Sequence, residues 1–134
     1  MGDEMNESTQ ASAARRLAVL VVEDCEDNAA LLAELVTSLG HQVHVARTGT
    51  EAIQASQERR SDVVFLDLGL PDVDGYEVAR RIRSLHPEQC HIVALTGFSD
   101  AGRRNTARAA GCSGFLVKPV RFTDLQRALI VSAQ

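Results

Sequence analysis

Short apolar runs of strand length alternate with longer segments of helical period five times along this chain, and few architectures accommodate that rhythm. The runs are Leu17–Val22, Val43–Ala46, Val63–Leu66, Ile92–Leu95 and Phe115–Val117. The helical segments are Asn28–Leu39, Glu51–Arg59, Tyr76–Leu85, Ala101–Ala110 and Asp124–Val131. Runs such as Val63-Val64-Phe65-Leu66 are apolar at every position, which suits strands of a parallel sheet covered on both faces by crossover helices. Helix starts are marked at Thr48-x-x-Glu51 and Thr123-x-x-Gln126, which have the capping-box spacing, and helix stops at Gly40 and Gly111. With right-handed crossovers, the expected fold is α/β: five βα units wound into a doubly wound, five-stranded parallel sheet inside a three-layer sandwich.

A chain of 134 residues with 45% hydrophobic content suffices for one core and is short for two, so one domain must carry the function. Residues 1–16 are polar and small, cannot repay the entropy of ordering, and are expected to form a flexible tail before a domain at 17–134. No signal-peptide pattern and no membrane-length apolar stretch is present, so a cytoplasmic protein without a membrane partner is expected. The net charge of -4 offers no general attraction to nucleic acid, and no direct nucleic-acid partner is expected. Cys25, Cys90 and Cys112 form no C-x-x-C pair and are expected to be buried small hydrophobes in a reducing compartment.

In doubly wound sheets the reactive site lies beyond the carboxyl ends of the strands. Reading off those ends gives Glu23 and Asp24, then Asp67, Thr96 and Lys118. One acidic residue after a strand is ordinarily a helix cap, but five polar groups delivered to one edge exceed that explanation. Three carboxylates brought together repel by roughly 4 kcal/mol per pair at about 4 Å and an effective dielectric near 20, so positive charge must sit among them. Lys118, the one lysine beside thirteen arginines, supplies a compact point charge, and a metal is needed for the remainder. Oxygen-only ligands select Mg²⁺, Mn²⁺ or Ca²⁺, and Mg²⁺ typically pairs one or two carboxylates with water and phosphate oxygens. That combination suits phosphoryl chemistry with Asp67 as nucleophile and Thr96 as a hydroxyl donor to a phosphoryl oxygen.

The pieces V-V-E-D at Val21–Asp24, V-V-F-L-D-L-G-L-P-D-V-D-G at Val63–Gly75, A-L-T-G at Ala94–Gly97 and G-F-L-V-K-P-V at Gly114–Val120 resemble the response-regulator receiver family of two-component signalling. The resemblance covers the chain from about Leu17 onward and implies a flavodoxin-like sheet of order 2-1-3-4-5. It further implies that Asp67 accepts the phosphoryl group, and that Glu23, Asp24, Asp67 and the Gly69 carbonyl hold Mg²⁺, with Mn²⁺ as the expected substitute. Lys118 and Thr96 would contact the phosphoryl group, and Thr96 and Phe115 would form a conformational switch. The implied donor is a phosphohistidine on a histidine kinase or a histidine phosphotransfer protein, and the only catalysis is of the chain's own phosphorylation and dephosphorylation. The family's lysine–proline step, here Lys118-Pro119, is associated with a cis peptide. The cadence of A-L-T-G and L-V-K-P-V is similar to receivers of hybrid histidine kinases and phosphorelays. Glu23 departs from the family's more frequent Asp, and Gly69 and Phe98 occupy positions that tune the phosphoryl lifetime. With Gln134 directly after the fifth helix, the signal is expected to leave through a separate partner or a dimer.

Phe115 in an apolar strand also suits plain core. His41 and His44, an odd number apart on a strand, are expected on opposite faces rather than as a metal pair. Arg80, Arg81, Arg83 and Arg103, Arg104, Arg108 read as solvated helix faces. Two rivals stand beside the switch reading. An Mg²⁺-dependent phosphatase of the haloacid dehalogenase type would want an acid two residues after Asp67, where Gly69 stands. An unphosphorylated pseudo-receiver, acting as an interaction module, would have no need of the intact acids, Thr96 and Lys118. No glycine-rich nucleotide loop follows the first strand.

Overall fold

The computed structural model of the protein describes residues 16–97 and 101–133. The expected tail, apart from Arg16, and Phe98 lie outside the described residues. In chain order the elements are β1 (Ala18–Val22), α1 (Glu26–Ser38), β2 (Gln42–Ala46), α2 (Gly49–Glu58), β3 (Val63–Asp67), α3 (Gly75–Leu85), β4 (His91–Thr96), α4 (Ala101–Ala109), β5 (Gly114–Val117) and α5 (Phe122–Ala133). The strands form one parallel sheet in the order β2-β1-β3-β4-β5, as the resemblance implies.

Alternation along the strands divides the core in two. Leu20, Val22, Val64, Leu66, Ile92 and Ala94 face α2, α3 and α4, meeting Ala52, Val78, Ile82 and Ala107. Val19, Val21, Val63, Phe65, Val93 and Leu95 face α1 and α5, meeting Leu32, Val36, Leu125 and Leu129. The all-apolar runs therefore feed two cores at once, which is why a period-2 polar pattern is missing from the central strands.

Helix boundaries follow from what satisfies the free N–H groups of each first turn. At α3, the Asp74 carboxylate accepts from the Tyr76 N–H. Gly75 beside it is required by contact: a Cβ there would stand 2.6 Å from Leu68 Cα and 2.8 Å from Leu68 O. The Thr48 capping position is realised, with the Glu51 N–H donating to Thr48 Oγ1 at 3.0 Å, although the Glu51 carboxylate reaches one residue further back, to the Arg47 N–H. Thr123 is a correction. The Leu125 N–H bonds to the Arg121 carbonyl, so α5 begins before Thr123, which lies within the first turn rather than capping it. Gly40 and Gly111 end their helices with φ of 93° and 106°, a region glycine enters without steric cost.

Cys90 and Cys112 are buried, and burial pushes both thiols up to about 11, so they behave as small hydrophobes. Cys25 is exposed, contrary to expectation, because it sits in the loop after β1. Arg83 also departs from the solvated reading. Its guanidinium donates to the carbonyls of Gly111 and His86 and to Ser113 Oγ, joining the end of α3 to the α4–β5 loop. Arg80 and Arg81 instead form exposed pairs with Glu77. His41 precedes β2 and accepts the Leu17 N–H at Nδ1, while His44 is exposed on the edge strand.

Candidate active site

The sheet register brings the expected residues to one level. Val22 pairs with Leu66, Asp67 with Leu95 and Thr96 with Val117, so Glu23, Asp67, Thr96 and Lys118 emerge side by side at the carboxyl edge. The chain leaves β1 towards β2 on one side and returns to β3 on the other, and the loops diverge to leave a crevice at the ends of β1 and β3.

Within that crevice the side chains of Glu23, Asp24 and Asp67 offer oxygen atoms that all lie within 4.8 Å of one another, the one such group among the described residues. Glu23 is 1% exposed and Asp67 7%, whereas Asp24 is open to solvent. Lys118 Nζ reaches Glu23 Oε1 at 2.9 Å and Asp67 Oδ2 at 3.2 Å, bridging the two buried carboxylates. Glu23 Oε2 accepts the Cys25 N–H at 3.2 Å, and Asp67 Oδ1 accepts the Gly69 N–H at 2.9 Å. Thr96 is buried at the end of β4, its carbonyl accepting the Lys118 N–H at 2.7 Å, and the Lys118-Pro119 peptide is cis.

Electrostatics explain why so acidic a cluster tolerates burial. Loss of water drives the Glu23 carboxyl above its ordinary range, the Lys118 hydrogen bond draws it back, and the nearby Asp67 charge raises it again. Burial alone would lower the Lys118 ammonium, but its bonds and attractions to Glu23 and Asp67 outweigh that and hold it above its ordinary value. Lys118 is therefore firmly charged, and one ammonium against three carboxylates leaves the cluster net negative. An all-oxygen, net-negative donor set with two buried members and one open to water fits a hard divalent cation such as Mg²⁺.

Phe115 stands on the edge strand, half-buried, with the Arg104 guanidinium 5.4 Å from its ring centroid. It lines a cavity of about 160 Å³ with Arg104, Arg108 and Cys112 and another of about 280 Å³ with Leu116 and Val131. Two further residues at the site's margin, Arg47 and Asp72, carry no local sequence signal. Their partners lie 23 and 22 residues away along the chain.

A family model described as the response regulator receiver domain matches residues 19–130. The polar-differentiation response regulator DivK of Brucella anthropi is 34% identical over 104 residues, covering 76% of this chain and 84% of that protein. The receiver domain of a Pseudomonas aeruginosa sensor histidine kinase, solved with a magnesium ion coordinated in its active-site cleft, superposes with a TM-score of 0.80 and 31% identity over 88% of this chain and 98% of that one. A chemotaxis protein of Vibrio cholerae superposes with a TM-score of 0.80 and 28% identity, covering 85% of this chain and 96% of that one.

Proposed function

This chain belongs to the response regulator receiver family, and we propose that it acts as a phosphorylation switch whose acceptor is Asp67. The observation that carries the reading is the convergence of Glu23, Asp24 and Asp67 within 4.8 Å, with Lys118 Nζ bonded to the two buried members. Glu23, Asp24 and Asp67, with the Gly69 carbonyl, would hold Mg²⁺ or Mn²⁺, and when bound the cation neutralises charge on the transferring phosphoryl group.

A carboxylate oxygen of Asp67 forms a bond to phosphorus as the phosphorus–nitrogen bond of a phosphohistidine breaks, and the donor imidazole leaves. The donor is a histidine kinase or a histidine phosphotransfer protein. Lys118 releases its hold on Asp67 Oδ2 in favour of a phosphoryl oxygen, and the Thr96 hydroxyl donates to another. Movement of Thr96 frees space behind it for Phe115, so the face formed by α4 and β5 takes a second shape that a protein partner reads. Residues 17–134 form the working domain, in the cytoplasm and without a nucleic-acid or membrane contact. Among the described residues no helix is long and apolar enough to cross a membrane.

The test is intact mass after incubation with acetyl phosphate, with and without Mg²⁺, for the wild type and Asp67→Asn. One added phosphoryl group that requires both Mg²⁺ and Asp67 is expected. A wild type that binds Mg²⁺ and stays unmodified, even with a phosphohistidine donor, would turn the reading to a pseudo-receiver. Sustained hydrolysis of an added phosphate ester would turn it to a phosphatase.

A further inference from the structure

The β2–α2 turn contributes no acid to the site, yet it is bonded to both loops that do. On one side, the Ala46 carbonyl accepts the Glu23 N–H at 3.1 Å, and the Arg47 guanidinium donates twice to the Asp24 carbonyl, from Nε at 3.2 Å and Nη2 at 2.6 Å. On the other, the Asp72 carboxylate, in the loop that follows Asp67, accepts from the Gly49 N–H at 2.8 Å, the Thr50 N–H at 3.0 Å and the Thr50 hydroxyl at 2.8 Å. The turn therefore spans the crevice between the segment that presents Glu23 and Asp24 and the segment that leaves Asp67.

We propose that this turn is a clasp that fixes the spacing of the acidic loops, and that Arg47 is the positioning residue that sets the divalent-cation affinity of the site. Three carboxylates that repel one another in the absence of a cation drive their loops apart, and the exposed Asp24 is the member with least packing to resist. A carbonyl held by two donors from one rigid, planar guanidinium cannot swing out with its side chain. Arg47 is itself fixed, since its own N–H donates to Glu51 Oε1 at 2.9 Å in the first turn of α2. Metal sites depend on such outer bonds because a ligand kept in place need not be gathered when the ion arrives.

The inference rests on the reading of Glu23, Asp24 and Asp67 as a Mg²⁺ site, and the experiment separates the two. Amide NMR spectra recorded during titration with Mg²⁺ give a dissociation constant for the wild type, Arg47→Ala, Arg47→Lys and a remote arginine control, Arg59→Ala. Arg47→Ala is expected to bind about tenfold more weakly, the lower end of the loss seen when a group orienting a metal ligand is removed. Arg47→Lys, which keeps the charge without the planar fork, is expected to remain at least about threefold weaker than wild type. Arg59→Ala should match wild type.

Without Mg²⁺, the Cys25 amide should exchange with solvent faster in Arg47→Ala while Val93, in β4, exchanges at the wild-type rate. Equal constants for wild type and Arg47→Ala, or full recovery in Arg47→Lys, would overturn the clasp while leaving the Mg²⁺ site intact. A wild type with no Mg²⁺-dependent shifts would overturn the site reading and the clasp together. If Arg47→Ala does not fold, Arg47→Lys carries the decision.

Discussion

Glu23 is the most buried acid of the site, and its carboxyl stays there because Lys118 Nζ lies 2.9 Å away. Removing the ammonium leaves Glu23 and Asp67 facing each other without compensation. Lys118→Met is expected to lower stability at pH 7 by about 2 kcal/mol, less than the roughly 3–5 kcal/mol of a fully buried pair because Lys118 retains some contact with water. The sign with pH follows from the directions of the shifts. A carboxyl raised in the folded state binds protons more readily there than when unfolded, so its burden is relieved as pH falls towards its ordinary value of 4.5. Lys118 is raised, so its contribution is complete below its ordinary 10.5 and is lost as pH rises through the higher folded value. Urea denaturation should therefore show the gap between wild type and Lys118→Met narrowing from pH 7 to pH 5, and a gap independent of pH would contradict the account. Glu23, Asp24, Asp67, Thr96 and Lys118 were legible in the sequence because each is an early polar residue after an apolar run. Arg47 and Asp72 were not, since a lone arginine after a strand and an acid next to a proline mean little until the fold supplies partners more than twenty residues distant.

At the scale of the element, α2 shows what periodicity can and cannot find. The apolar pattern alone places its start near Glu51, whereas the Thr48-x-x-Glu51 capping spacing places it after Thr48, and the helix begins at Gly49. The first three N–H groups are all taken by side chains, Gly49 and Thr50 by Asp72 and Glu51 by Thr48. The Thr48 cap is recorded in the local sequence, but the Asp72 bonds to Gly49 and Thr50 come from another loop, so no local pattern records them. These bonds hold the Asp72 carboxyl down to about 2. A group depressed in this way contributes fully above its ordinary 3.8, and that contribution is lost as pH falls through about 2. Asp72→Asn is expected to melt below wild type at pH 7, with the difference in Tm shrinking between pH 4 and pH 2. A difference that stays constant over that range would show the charge to be irrelevant. The Thr123 motif teaches the complementary lesson: the spacing of a capping box is present, but the helix had already begun at Phe122.

For the molecule as a whole, the five βα units and their parallel pairing were legible because strands sealed on both faces must be apolar throughout. Phe65 lies in the central strand, fully buried against the α1 and α5 layer and two residues before Asp67. Phe65→Ala is expected to cost about 3–5 kcal/mol, a large part of the roughly 5–15 kcal/mol that holds a domain together. Chemical denaturation measures it directly, and a loss below about 1 kcal/mol would mean the two layers close over the gap.

The acids and the lysine of the site come from the strand ends, and beyond the first turn of α2 the outward sides of the helices take no part in gathering them. The fold itself is shared at a TM-score of 0.80 with proteins only 28–31% identical. Under the function proposed above, such an arrangement would separate address from message: the helices could be rewritten to meet a new sender or receiver, and Asp67 would remain the place where the message is written.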